Sequence, residues 1–183
     1  MGEARRSVDS PDGAGGQDRV AVASRRTAVV TLPTDTQILI MREFAAPRHL
    51  VYKAWTTPEL VKRWWSAMRG VVTVADIDLR VGGAWRWVMV TDRGFEVAFH
   101  GGYREVIENE RIVYTEVYEG IPGGDDDPAV ITLTFTEVDG RTTLTQLVQM
   151  TTREGRDAII NSGMEAGMQD AMDLLEGVAI SLM

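Results

Sequence analysis

The 183-residue chain contains no cysteine, which excludes disulfides, thiolate metal sites and a cysteine nucleophile together. It has only two histidines, His49 and His100, far apart in the sequence. The run Gly124-Asp125-Asp126-Asp127 lacks the alternating spacing of a calcium loop, because three consecutive Asp on an extended chain cannot all face one ion. No metal or other cofactor is therefore expected. No apolar run approaches the ~18 residues of a membrane span, and the N-terminus has no apolar segment before a small-residue cleavage site. The expected location is the cytoplasm. Positive charge is scarce as well: 19 Lys and Arg stand against 27 Asp and Glu, a net charge of −8. Residues 27–183 alone hold 14 basic and 23 acidic side chains, a net of −9. With no compensating Lys/Arg stripe, such a body repels both a phosphate backbone and anionic lipid, so neither nucleic acid nor membrane is expected as a partner.

What is present is the balance of an ordinary globular domain, with 44% hydrophobic and 25% charged residues. Residues 1–26, rich in Gly and mixed charge, bury too little to offset their ordering entropy and read as a flexible tail. Residues 27–183 read as one domain. Ala28–Leu32 and Thr36–Phe44 are strand segments broken at Pro33. Pro47 and Pro58 then open two short helices, with Leu50, Val51, Ala54 and Trp55 as the apolar positions of the first and Leu60, Val61, Trp64 and Trp65 as those of the second. A meander follows: Val71–Leu79, Ala84–Thr91, Phe95–Ile107, Arg111–Glu119, Val130–Val138 and Arg141–Thr151. Asp139-Gly140 is its strongest hairpin signal. Thr151 and Ser162, each three residues before a Glu, have capping-box spacing. They introduce a short helix at Arg153–Ile160 and a long one from Gly163 to Leu182. Met164, Met168, Met172, Leu175, Val178, Ala179 and Leu182 form the apolar stripe of the long helix, while Glu165, Gln169, Asp170, Asp173 and Glu176 read as its solvent side. That stripe and the curved antiparallel sheet can each be buried only against the other, which gives an α+β helix-grip arrangement.

Strand alternation places Trp85, Trp87 and Met89 on one face, with Phe95, Val97, Phe99 and Tyr103 beside them on the next strand and Ile112, Tyr114 and Tyr118 on the third. Asp76, Asp78 and Arg80 share the face of a strand as an ordinary ion-pair group. His100 is the best general-base candidate by residue type, but alternation aims it away from the aromatic face. Glu105 and Arg86 are the other candidate polar anchors. None of these completes a catalytic constellation.

Arg42-Glu43-Phe44-Ala45-Ala46-Pro47, Ala54-Trp55-Thr56-Thr57-Pro58-Glu59-Leu60 and Arg63-Trp64-Trp65 resemble the opening signature of the SRPBCC (START-like) superfamily. Within it they are most similar to the subgroup of the activator of the 90-kDa heat-shock protein ATPase. Asp78–Gly83, Phe99-His100-Gly101, Glu110–Thr115 and Ser162–Met168 carry the resemblance into the final helix. Glu108-Asn109 replaces the proline pair usual before Glu-Arg. The resemblance implies a helix-grip fold enclosing an apolar cavity between sheet and C-terminal helix. It also implies that self-association is common, and a homodimer paired along the edge at Ala28–Phe44 is expected.

Taken together, the expected function is binding of a small apolar or amphipathic molecule. Its site is expected to be bounded by Trp64, Trp65, Trp85, Trp87, Phe99, Tyr103, Tyr114 and Met168, beneath a flexible Met-rich helix. The alternatives are a cyclase- or hydrolase-type enzyme using His100 or Glu105, and a partner of a chaperone ATPase. Binding is favoured over catalysis because no catalytic group is evident.

Overall fold

Period-two alternation of β-branched and aromatic residues sets eight strands, and the structure, a computed structural model describing residues 24–183, joins them in one antiparallel sheet. The strands are β1 (Val29–Thr31), β2 (Gln37–Phe44), β3 (Gly70–Ile77), β4 (Ala84–Thr91), β5 (Glu96–Ile107), β6 (Arg111–Tyr118), β7 (Ala129–Val138) and β8 (Arg141–Gln149). Their spatial order is β1-β2-β8-β7-β6-β5-β4-β3. β3 to β8 form the expected meander, and β2 closes onto β8 from Gln37 opposite Gln149 to Phe44 opposite Thr142. Asp139 and Gly140 both take positive φ, 51° and 72°, and turn β7 into β8 with Val138 opposite Arg141. This is the primed turn whose twist matches that of the paired strands. β1 and β3 are the two margins of the sheet.

The helices are α1 (Arg48–Thr56), α2 (Pro58–Val61), α3 (Arg153–Asn161) and α4 (Met164–Ile180). Two details of helix capping differ from the sequence reading. The residue that caps α3 is Thr152 rather than Thr151, its hydroxyl accepting from Gly155 N at 3.1 Å. Thr151 instead donates to Asp127 at 2.6 Å. At α4 the residue preceding the helix is Gly163 with φ 78°, and no side chain caps it. Ser162 turns back to donate to Ile159 O.

The larger difference lies along α4. Leu175, Val178 and Ala179 are buried as expected, but so are Gln169 and Glu176, two residues of the expected solvent side. The chain leading into β1 covers them. Gln169 brackets Ala28, accepting from its N–H at 3.1 Å and donating to its carbonyl at 2.7 Å. Ser24 donates to Glu176 through both its backbone N–H and its hydroxyl. Most of the expected tail, residues 1–23, lies outside the described residues; Ser24 and Arg26 are hydrogen-bonded to α4.

Arg42 completes this polar core. Alternation along β2 puts it on the same inward face as Ile38, Ile40 and Phe44, and it is 2% exposed. Its guanidinium donates to Asp173 at 2.6 Å and to Glu176 at 2.9 Å, while Glu176 also accepts from Ala45 N at 2.8 Å. Beside it lies the apolar core of Ile131, Leu133, Phe135, Leu144 and Leu175. The C-terminal half of α4 is thus gripped by sheet, α1 and leading segment. Its N-terminal half, with Met164, Gly167, Met168 and Ala171, faces a cleft.

Candidate functional site

The cleft lies between the aromatic face of β4–β6, the segment after α2 and the first turns of α4, and has a volume of about 530 Å³. All five tryptophans of the chain line it: Trp55 from α1, Trp64 and Trp65 from the segment after α2, Trp85 and Trp87 from β4. Four of the rings form a continuous edge-on network centred on Trp87, whose centroid is 5.8 Å from Trp64, 5.6 Å from Trp65 and 5.4 Å from Trp85, and Trp55 joins it tilted against Trp64 at 4.9 Å. The network reaches Phe99 through Trp65 at 5.9 Å and Tyr114 through Trp85 at 5.4 Å. Edge-to-face contacts of this kind add to the area they bury.

Local backbone features hold the wall in place. Trp85 donates its indole N–H across β5 to Thr115 O at 3.1 Å, passing so close to Gly101 that a Cβ there would lie 2.8 Å from Nε1 and 1.7 Å from the Thr115 oxygen. Only glycine fits. Trp64 donates to Ala54 O at 3.0 Å, tying the segment after α2 to α1. Immediately beyond, Ala67 and Met68 take successive left-handed conformations, φ 51° and 61°, which cost of order ~1 kcal/mol or more each in a non-glycine residue. That turn carries the chain from Trp65 inside the cleft to Arg69 at its edge, where Arg69 pairs with Asp170 at 2.8 Å.

Seven of the eight expected site residues line this cleft: Trp64, Trp65, Trp85, Trp87, Phe99, Tyr114 and Met168. The eighth, Tyr103, lines a small adjoining void of about 20 Å³, shared with Trp55, Trp85, Trp87 and Tyr114. That is room for a single water. Phe95, grouped with them by alternation, precedes β5 at a hairpin tip and is exposed.

One residue missing from the sequence reading joins the two spaces. Glu116 lies on β6 two positions after Tyr114, lines both the cleft and the void, and has no hydrogen-bond or charged partner among the described residues. Its neighbour across the β6–β7 ladder is Ala129, too small to reach it. Glu116 is half-buried, and the surface it retains borders the cleft. Burial among the rings pushes its carboxyl up to about 7. Burial also raises the Tyr114 and Tyr103 hydroxyls, which stay neutral at ordinary pH. Gln146 on β8 adds an amide to the lining, and the Trp87 indole N–H is buried without a hydrogen-bond partner among the described residues. The alternation that groups Ile112, Tyr114 and Tyr118 is the signal that could have found Glu116, which falls between the last two on the same face.

The polar residues that the sequence favoured lie outside. His100 projects from the opposite face of β5, with Nδ1 2.8 Å from Glu119 and Nε2 2.6 Å from Asp125. Arg86 makes two hydrogen bonds to Glu119 at 2.8 and 2.9 Å, and Glu105 faces Arg111. Arg86 first and His100 second hold the Glu119 carboxyl down to about 2. Asp125, then Glu119, raise the His100 imidazole above its usual value. The contribution of this tie is complete below about pH 6.5 and is lost as the pH rises through the raised value. His100 should therefore titrate above the ordinary ~6.5 in a proton NMR titration, and His100→Ala should leave cleft ligand affinity unchanged. A normal titration, or loss of binding in the variant, would contradict this assignment. Asp78 and Arg80 form an exposed ion pair at 2.9 Å, as expected.

A curved antiparallel sheet wrapped on a C-terminal helix over an aromatic cleft defines the START-like helix-grip class, whose members commonly bind hydrophobic ligands. A profile of the family described as Activator of Hsp90 ATPase homolog 1-like protein matches residues 45–179. The chain belongs to that family. It superimposes on a crystal structure from Rhodobacter sphaeroides with a TM-score of 0.77 at 26% identity, covering 85% of this chain and 99% of the other. A Mycobacterium smegmatis crystal structure gives 0.73 at 25% identity, over 82% and 95% of the two chains. A solution structure from Staphylococcus epidermidis gives 0.71 at 26%, over 83% and 94%. No curated protein matches the chain. Among the described residues no helix is long and apolar enough to cross a membrane.

Proposed function

We propose that this protein binds a small apolar or amphipathic molecule in the aromatic cleft, with Glu116 as the group that fixes its polar end. The observation that carries the reading is the convergence of all five tryptophans on one cleft whose lining also holds a carboxyl without a partner among the described residues. An apolar enclosure with few convergent polar groups is the usual form of a small-molecule site. The methionines of α4 give it an adaptable lid.

Because every indole borders the cleft, intrinsic fluorescence reports its occupancy directly. A panel of fatty alcohols, sterols and polycyclic aromatics should contain members that quench it and raise the melting temperature. A ligand at 100 times its Kd stabilises the fold by about 2.7 kcal/mol. Ala171→Phe, which places a ring in the cleft from α4, should abolish both signals while leaving the far-ultraviolet circular dichroism unchanged. If no member of the panel shifts either signal, or if the filled variant binds as well as the wild type, the reading fails.

A second reading, a cyclase- or hydrolase-type enzyme, draws on one observation. A carboxyl held at about 7 can give and take a proton at neutral pH. Turnover of a bound panel member that disappears in Glu116→Gln, with binding retained, would put that reading first.

A further inference from the structure

The protein's carboxyl and its aromatic rings meet in an unusual way at the junction of cleft and void. Glu116 has no hydrogen-bond or cationic partner among the described residues, and it shares the lining of the void with Ile112 and the rings of Trp55, Trp85, Trp87, Tyr103 and Tyr114. An unpaired carboxylate in such surroundings is strongly disfavoured unless a proton or a cation joins it. The rings themselves carry negative faces, which attract a cation desolvated among them. The wider field has the same sign, since residues 27–183 carry a net charge of −9. Such a field draws cations toward the cleft and opposes anions.

Resting on the proposed function, we infer that the cleft selects ligands carrying a basic nitrogen. The protonated amine sits against Glu116 inside the aromatic cage, and the apolar body extends along Trp65, Phe99 and Met168. A carboxylic acid with the same body is the ligand that the site excludes.

The same geometry gives the selectivity a pH dependence. The titratable groups bordering the two spaces besides Glu116 are Tyr114 on β6, Tyr103 on β5 and Arg69 after α2. Both tyrosine hydroxyls are raised and neutral, and Arg69 is paired with Asp170 of α4. Ala129 on β7 and Gln146 on β8 contribute no charge. Glu116 is therefore the group that sets the preference. Its carboxyl, near 7 in the empty site, is protonated at lower pH and then offers an ammonium no charge.

Three probes with one body and different heads test this: octylamine, octan-1-ol and octanoate, titrated by indole fluorescence. At about pH 8 the amine should bind at least ~10-fold more tightly than the alcohol, the order expected of a desolvated charge and cation–π pair, and octanoate should bind most weakly. The amine's advantage should shrink as the pH falls from about 8 to about 5. Glu116→Gln should bring the octylamine and octan-1-ol affinities together at every pH. Equal binding of amine and alcohol by the wild type, or a preference that survives in Glu116→Gln, overturns this inference and leaves the apolar cleft standing. Failure of all three probes to bind overturns the proposed function with it.

Discussion

Arg42→Ala should destabilise the fold by about 3–5 kcal/mol, the range for removing one partner of a buried ion pair. Arg42 and Glu176 side chains are both fully buried, 2.9 Å apart. Without the guanidinium, Glu176 keeps only the donors of Ser24 and Ala45 for a full charge. Asp173, partly exposed, can turn to water; Glu176 cannot. Urea unfolding should show a lower midpoint with an unchanged slope, because the surface exposed on unfolding is the same. The double variant Arg42→Met with Glu176→Leu should recover much of the loss, since apolar side chains of similar size avoid the cost of burying charge. A single variant within about 1 kcal/mol of wild type, the size of an exposed pair, would show that the pair is not buried.

Glu116→Gln should act in the opposite direction and stabilise the protein above neutral pH. A carboxyl raised from its ordinary 4.5 to about 7 binds its proton more tightly in the folded than in the unfolded chain. Between those values the unfolded chain has lost the proton while the folded one keeps it, so stability falls as the pH rises and levels off above about 7. At ~1.4 kcal/mol per pH unit the ionised group costs up to about 3 kcal/mol. The variant should therefore exceed the wild type by up to about 3 kcal/mol near pH 8.5 and converge on it below about pH 4. His100 also loses a favourable tie as the pH rises, but that contribution is common to both proteins and cancels in the difference. Superimposable stability curves for the two would mean that Glu116 is solvated.

These two residues also mark where the sequence was and was not readable. The strands, the short helices and the final helix follow from alternation, proline placement and the Asp139-Gly140 turn, all local signals. The aromatic wall follows from alternation as well, since Trp85, Trp87, Phe99 and Tyr114 occupy inward positions on adjacent strands. Glu116 was readable by the same rule, yet a lone Glu in a strand ordinarily faces water. Glu176 and Gln169 were not readable from periodicity. Their burial depends on Ser24–Ala28, about 140–150 residues away in sequence, crossing over α4. The conventional catalytic types, His100 and Glu105, drew attention by residue type although alternation already sent His100 outward. Trp55 is not legible as a cleft residue, because α1 contributes to both core and cleft and helical spacing does not separate the two.

The most direct test of the cleft as the binding site is the set of five indole N–H signals in a proton–nitrogen correlation spectrum during titration with octylamine. All five side chains border one cleft, so the account predicts that their signals move together to saturation with a single Kd, and that the His100 signals, from the other face of the sheet, stay in place. Unmoved indole signals, with shifts confined to surface residues or centred on His100, would contradict it.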